Sequence, residues 1–492
     1  MMILNTAIAL ALLVPLAPLG VGQPGVHGQD EGEGYEAIRD RELPGLLAKM
    51  SEHADWCRKK KLWLQRALAY EAVLRIDPDR VEAHRGLGHK KGRDGSWAPS
   101  NKPRPKDRGK KADLLDAVKR REELCRPFVE AALGFVKREG EELNRGLKKK
   151  VVEDLIAMDP ENEWAHAQRF EVKHEGNWVM MELVNTRKVR AEIKELIKSA
   201  REDLKAADSS RLTALEEGLK LDFSAALESE SVRVLGTVGE EEVVRCSENL
   251  RVMQAVFQEL IDESCAYPEG FTYFLLGNDS ERSTFLDNHP GVAASDRAYY
   301  ESLETVGIKP EAIHYVSWTN DKPRRLDSAC RQGIANLLMP LKELNFEGWE
   351  VYGWAFEGVG NYFTHAVAGT HLTWFIAPSK YLSPRDDALL RAKLMESKLD
   401  WLREARIMME EGKLPKFHSV VGRGVNRLTT DDLLLCNAAV AYLLEGRPGV
   451  LPKILKKIGH GRTAHETFLE ELGINLLQFD ERLKMWLAET AD

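Results

Sequence analysis

What most constrains the fold of this 492-residue chain is a pattern written twice. Residues 70–97 read YEAVLRIDPDRVEAHRGLGHKKGRDGSW, and residues 151–178 read VVEDLIAMDPENEWAHAQRFEVKHEGNW. In each, an apolar helix end meets Asp-Pro, an Ala-His follows, and Gly-x-Trp closes the unit. Asp77 and Asp159 stand 82 residues apart and Trp97 and Trp178 stand 81 apart, so the internal spacing is kept to within one residue. Proline cannot continue a helix but suits the first turn of the next, with Asp before it as a cap. Each unit is expected to be a helical hairpin. Asp94-Gly95 supplies a hairpin-type turn that lays Trp97 back on its helices as a small β flap. The two tryptophans are expected to be core plugs, since indole rings are commonly buried for packing.

The texture around these units is helical from Gly45 to about Lys220. Leu62, Leu64, Ala67, Tyr70 and Val73 recur at the spacing of an amphipathic helix, with cations between them. Residues 100–111, SNKPRPKDRGKK, contain no apolar side chain beyond proline and read as a solvated basic linker. Helix–Asp-Pro–helix units resemble tetratricopeptide-type arrays, although the period and the Gly-x-Trp ending depart from that consensus. Residues 30–225 are accordingly read as a helical-repeat region.

The first residues are of another kind. Ile3 to Val21 is almost wholly apolar, uncharged and broken by Pro15 and Pro18, and the first charged side chain is Asp30. This predicts a secretory signal peptide over residues 1–29, with a secreted or periplasmic mature protein. An uncleaved membrane anchor is the alternative, because 19 residues just span a bilayer. No later stretch predicts an integral membrane segment. With 70 Lys and Arg against 78 Asp and Glu, the net charge of −8 gives no electrostatic reason to bind nucleic acid. The six cysteines stand singly with no CxxC pair, which argues against a zinc ribbon or a disulfide scaffold.

From about residue 226 the pattern changes. SVRVLGTV (231–238), FTYFLLG (271–277) and residues 313–318 read as strands, Glu240 to Glu263 as a long helix, and helices follow from Leu326 onward. The fold class is α+β and mostly helical, with a small β-sheet in residues 226–492.

Within this region stands Trp354-Ala355-Phe356-Glu357-Gly358-Val359-Gly360-Asn361-Tyr362. Beyond it, residues 437–447 and 451–487 give a helical lobe ending at Trp486. This order resembles the gluzincin-type zinc metallopeptidases of the peptidase-MA-like branch, common among bacterial secreted proteins. In that family one helix carries His-Glu-x-x-His, and a second carries Trp-x-x-Glu-Gly-x-x-x-Tyr. The resemblance covers more than half the chain and implies a peptidase-like fold, with Trp354, Tyr362, His365 and His371 as cleft residues.

The first motif is absent. Upstream of Glu357, the resemblance places Gln332 and Asn336 where the two histidines belong and Gly333 where the catalytic glutamate belongs. Zinc needs two imidazoles one helical turn apart, a further carboxylate and an open position for water. Amide oxygens suit zinc poorly, and losing the general base alone costs about 10²- to 10⁴-fold in rate. The expectation is a lost zinc site, no cofactor and no catalytic residue, with the Gln332 and Asn336 amides hydrogen-bonding Glu357. Among the 13 histidines none are spaced i,i+4, and Cys330 has no evident base to make it a nucleophile. The leading reading is an exported pseudo-metallopeptidase that binds a protein or peptide partner or serves as a scaffold. A hydrolase rebuilt around Glu357 with His365 or His371 and a purely structural envelope-associated protein are the alternatives.

Overall fold

A computed structural model of the chain describes residues 34–100, 103–140, 143–302, 314–318, 322–342, 351–370 and 399–490, with 390, 393–394 and 396. The expected signal peptide and His371 lie outside the described residues. The described residues are mostly helical, with two hairpins and one five-stranded sheet, an α+β architecture. No helix among them is long and apolar enough to cross a membrane.

The chain packs as two compact units that divide after Arg169. The first contains α1 (Tyr35–Lys59), α2 (Trp63–Ile76), α3 (Val81–Leu87), β1 (Lys90–Lys91), β2 (Trp97–Ala98), α4 (Lys111–Glu139), α5 (Arg145–Met158) and α6 (Glu163–Gln168). Its core gathers Met50, Tyr70, Val73, Phe128, Phe135 and Leu155 from the four longer helices. At the Asp77-Pro78 turn, His84 Nε2 lies 2.7 Å from the Pro78 carbonyl and donates to it. At Asp159-Pro160, His166 Nε2 makes the same 2.7 Å bond to Pro160. That bond explains the Ala-His of both units: Ala83 and Ala165 face the core, and the histidine folds back to close the turn.

Gly95, at φ 86°, turns the β1–β2 hairpin as the sequence predicts, since glycine adopts positive φ without a steric penalty. Trp97 is not the expected core plug. It is half-buried, and its ring stacks on His84 with centroids 4.5 Å apart and planes 6° apart. Trp178 is likewise half-buried, opposite Lys173 on the second hairpin.

His53 on α1 is 1% exposed and sits in the first unit's interior. Burial, with Arg120 and Arg121 adding to it, pushes its pKa down to about 4 from 6.5. The unfolded chain therefore takes up this proton first as pH falls, and stability tied to neutral His53 is lost from about pH 6.5 down to about 4. Thermal melts across that window are expected to fall more steeply for the natural chain than for His53→Gln. Parallel profiles would contradict this assignment.

The second unit opens with the hairpin β3 (Glu171–His174) and β4 (Asn177–Met180), then α7 (Met181–Glu202). Residues 170–225, which the sequence pattern groups with the N-terminal helices, belong to this unit by packing. The reason is α7. Glu182, with no exposed surface, accepts from Tyr442 Oη at 3.1 Å and pairs with Arg447 Nη2 at 2.9 Å. Arg190 Nε donates to the buried Glu445 at 2.6 Å. Trp486 Nε1 donates to Thr186 at 2.8 Å. Removing one partner of such a buried pair costs roughly 3–5 kcal/mol, so these bonds fix α7 within this unit.

A five-stranded sheet follows: β5 (Asp208–Ser209), β6 (Ala225–Glu228), β7 (Arg233–Gly236), β8 (Thr272–Leu276) and β9 (His314–Trp318), in that spatial order. The short α8 (Ala214–Gly218) lies between β5 and β6 in sequence. The β5–β6 and β6–β7 pairs are antiparallel, and β7–β8 and β8–β9 are parallel. Helix α9 (Glu240–Leu260) connects β7 to β8, and α10 (Asp279–Asn288) and α11 (Ala294–Ser302) lie between β8 and β9. Strand β8 is buried along its whole length, which is why TYFLL reads as an unbroken apolar run. Tyr273, Leu275 and Tyr315 face the main core, while Phe274, Leu276 and Val316 form a second core on the other face.

Helices complete the unit: α12 (Lys322–Leu337), α13 (Gly353–Ala368), α14 (Trp401–Glu410), α15 (Phe417–Val420), α16 (Thr430–Ala441), α17 (Val450–Gly459), α18 (Ala464–Leu472) and α19 (Leu476–Thr490). A single π turn, Tyr442–Gly446, extends α16 and holds both Tyr442 and Glu445.

Candidate functional site

Helices α12 and α13 pack on each other inside the main core and bring the two expected motif segments together. Glycine sets how closely α13 approaches its neighbours. A Cβ on Gly358 would lie 2.5 Å from the Cys436 carbonyl oxygen of α16, so only glycine permits this helix crossing. A Cβ on Gly360 would lie 2.8 Å from Arg331 Nε, so this second glycine makes room for an arginine laid across the helix.

That arginine defines the site. Arg331 Nη2 donates to Glu357 Oε2 at 2.6 Å, and Nη1 donates to Asn361 Oδ1 at 3.2 Å. The side chains of Arg331 and Glu357 are 5% and 6% exposed. A guanidinium offers donors and no lone pair. It neutralises the Glu357 carboxylate as a cation does, but neither grips a metal nor accepts a proton.

The expected partners of Glu357 do something else. Asn336 Oδ1 accepts from Tyr315 Oη at 2.9 Å, and Asn336 Nδ2 donates to the Gln332 backbone carbonyl at 2.8 Å. Asn336 thus ties α12 to strand β9. Gln332 is half-buried and makes no bond to Glu357. The amide network expected for the carboxylate is replaced by an ion pair. Helical geometry supplies the reason: positions 332 and 336 lie about 100° and 140° round the helix from Arg331, on another face.

Gly333 lies about 200° from Arg331, so it faces away from Glu357. A Cβ there would meet Leu250 Cδ2 and Tyr267 Oη, each at 2.7 Å. The position is a close contact with α9, with no space for a longer side chain. Tyr267 Oη itself donates to the Leu250 carbonyl at 2.9 Å.

The expected cleft residues separate in the same way. Trp354 has no exposed surface, and its ring meets Phe417 edge-on at 5.1 Å, so it belongs to the core. Tyr362 donates to Glu445 Oε1 at 2.9 Å and serves the α7 anchor. Burial raises the Glu445 carboxyl above the usual range, against the pull of Arg190. His365 is exposed in the last turn of α13, and Glu357 has no histidine partner among the described residues. Cys330 is fully buried, and burial pushes its thiol well up, which leaves it inert as a nucleophile. The GRGVNR segment (422–427) is a turn that docks α13, with Gly353 N donating to the Arg423 carbonyl at 2.9 Å.

Arg331 is the residue that sequence reasoning missed. Its signal was present: a single cation among Cys330, Ile334, Leu337 and Leu338, an apolar stretch in which a buried charge needs a partner. Comparisons with protein families, curated proteins and solved structures return no match to this chain.

Proposed function

We propose that the chain is a non-catalytic protein of peptidase-like ancestry that binds a protein or peptide partner or serves as a scaffold. The observation that carries this reading is the Arg331–Glu357 pair, a fixed side-chain cation against the carboxylate that gluzincin-type enzymes use for zinc. No register of α12 helps a metal, because residues 322–337 contain no histidine. Through Arg331 the resemblance aligns as Asp327-Ser328-x-x-Arg331 or as Arg331-Gln332-x-x-Ala335, and neither offers two imidazoles or the general base. The twofold Asp-Pro and Ala-His units support a helical-repeat reading of the N-terminal part, a kind of scaffold that commonly presents binding surfaces. Export of the protein rests on the apolar first residues alone.

The full chain, incubated with a reduced and carboxymethylated protein substrate and added zinc, is expected to show no cleavage with or without chelator. Chelator-sensitive cleavage that Glu357→Gln abolishes would overturn the proposal.

A further inference from the structure

A groove of about 1210 Å³ lies in the first unit, along α2 and beneath residues 98–100 and 103–105. One face of α2 supplies its floor: Trp63, Ala67 and Leu74 recur at helical spacing, and Leu87 of α3 closes the apolar strip. Around that strip stand five fixed cations, Arg66, Arg75, Arg85, Lys90 and Arg104, against the single carboxylate of Glu71. Glu71 is already engaged by Arg104 at 2.7 Å, a bond that pins the wall to α2. Arg75, Arg85 and Lys90 are exposed and have no carboxylate partner among the described residues. Arg66 lies 5.3 Å over the Tyr70 ring, and its buried Nε has no hydrogen-bond acceptor among the described residues.

His89 adds a titratable group. Because His84 Nε2 donates to Pro78, His84 Nδ1 is the acceptor of the 2.9 Å bond to His89 Nδ1. His89 therefore keeps its proton on Nδ1 when neutral and leaves Nε2 as a lone pair. Burial and the neighbouring His84 lower its pKa, so the groove's charge near neutral pH comes from the arginines and Lys90.

We infer that this groove is a binding site for an extended acidic peptide segment of a partner protein. Its net positive charge opposes the −8 of the chain as a whole, so the attraction is local to the groove. The volume exceeds that of a site for a compact small molecule, about 300–1,000 Å³. Trp63 to Arg75 spans about 18 Å of helix, which matches roughly five residues of extended chain. Two features favour peptide over nucleic acid. The lining has one large aromatic ring, Trp63, and the imidazole of His89, whereas single-stranded nucleic acid uses a series of stacking platforms. Pro99, Pro103 and Pro105 build the wall from peptide units that accept but do not donate, a match for peptide N–H groups and not for phosphodiesters. The inference names a partner chemistry that the proposed function leaves open, and it concerns a different unit from the Arg331–Glu357 pair.

The test is fluorescence anisotropy of the full chain with a labelled hexapeptide of alternating Glu and Asp. Binding is expected to weaken as salt rises, and the Gln and Asn counterpart of the peptide is expected not to bind. Arg75→Glu with Arg85→Glu is expected to weaken binding roughly tenfold or more at low salt, with an unchanged melt because both residues are exposed. Arg85→Gln with Lys90→Gln should weaken it in the same direction by less. The inference is overturned if the acidic peptide does not bind, if the variants bind as the natural chain does, or if a short oligothymidylate displaces the peptide at equal concentration. None of these results bears on whether the protein cleaves substrates.

Discussion

Gly333→Glu, which puts a glutamate where the proposed peptidase resemblance would place the catalytic one, is expected to cost the protein much of its stability and confer no hydrolytic activity. The new Cβ alone would stand 2.7 Å from both Leu250 Cδ2 and Tyr267 Oη. Overpacking of that kind costs about 1–3 kcal/mol. The carboxylate would then enter the packing between α12 and α9, beside the fully buried Cys246, Leu250 and Cys330, where the buried cation of that helix pair, Arg325, is already bound to Glu242. An uncompensated buried charge adds roughly 3–5 kcal/mol. The sum, about 4–8 kcal/mol, is comparable to the lower half of typical folding stabilities, about 5–15 kcal/mol. Gly333→Ala is expected to show the steric part alone, and Gln332→Glu, at a half-buried position one residue away, to be mild. Denaturant midpoints of the three variants measure this ranking. A stable Gly333→Glu protein would show that α12 is rotated from the orientation described.

The same helix shows what a single sequence discloses. Apolar runs, Asp-Pro breaks and Gly turns are local, and they fixed the strands at 233–236, 272–276 and 314–318 to within a few residues. The hairpins carrying Trp97 and Trp178 were legible for the same reason. Which face of α12 meets α13 is not local. It depends on the rotation of a helix that is buried nearly all round, so periodicity cannot rank its faces. The motif resemblance places Gln332 and Asn336 against Glu357, whereas the contact belongs to Arg331, one residue earlier on the helix. The place of α7 was hidden likewise, because its bonds to Tyr442, Glu445 and Arg447 join residues some 250 positions apart. The histidines of the Asp-Pro turns lay in plain view, but their role needed the Pro78 and Pro160 carbonyls in space.

The central claim, that Arg331 meets the charge of Glu357 inside the core, predicts an asymmetry between one substitution and two. Arg331→Met leaves a carboxylate buried and unpaired, and Glu357→Leu leaves a guanidinium in the same state. Each is expected to cost roughly 3–5 kcal/mol. Replacing both removes the two desolvation penalties together, and pairs of this kind exchanged for apolar residues of similar volume are often neutral or better. The double-mutant cycle, read from denaturant midpoints of the full chain, measures this directly. The expected result is a double variant more stable than either single variant, with a coupling well above about 1 kcal/mol. Losses that simply add, to within about 0.5 kcal/mol, would mean that Arg331 does not serve Glu357, and the account of a cation replaced by a side chain would fail.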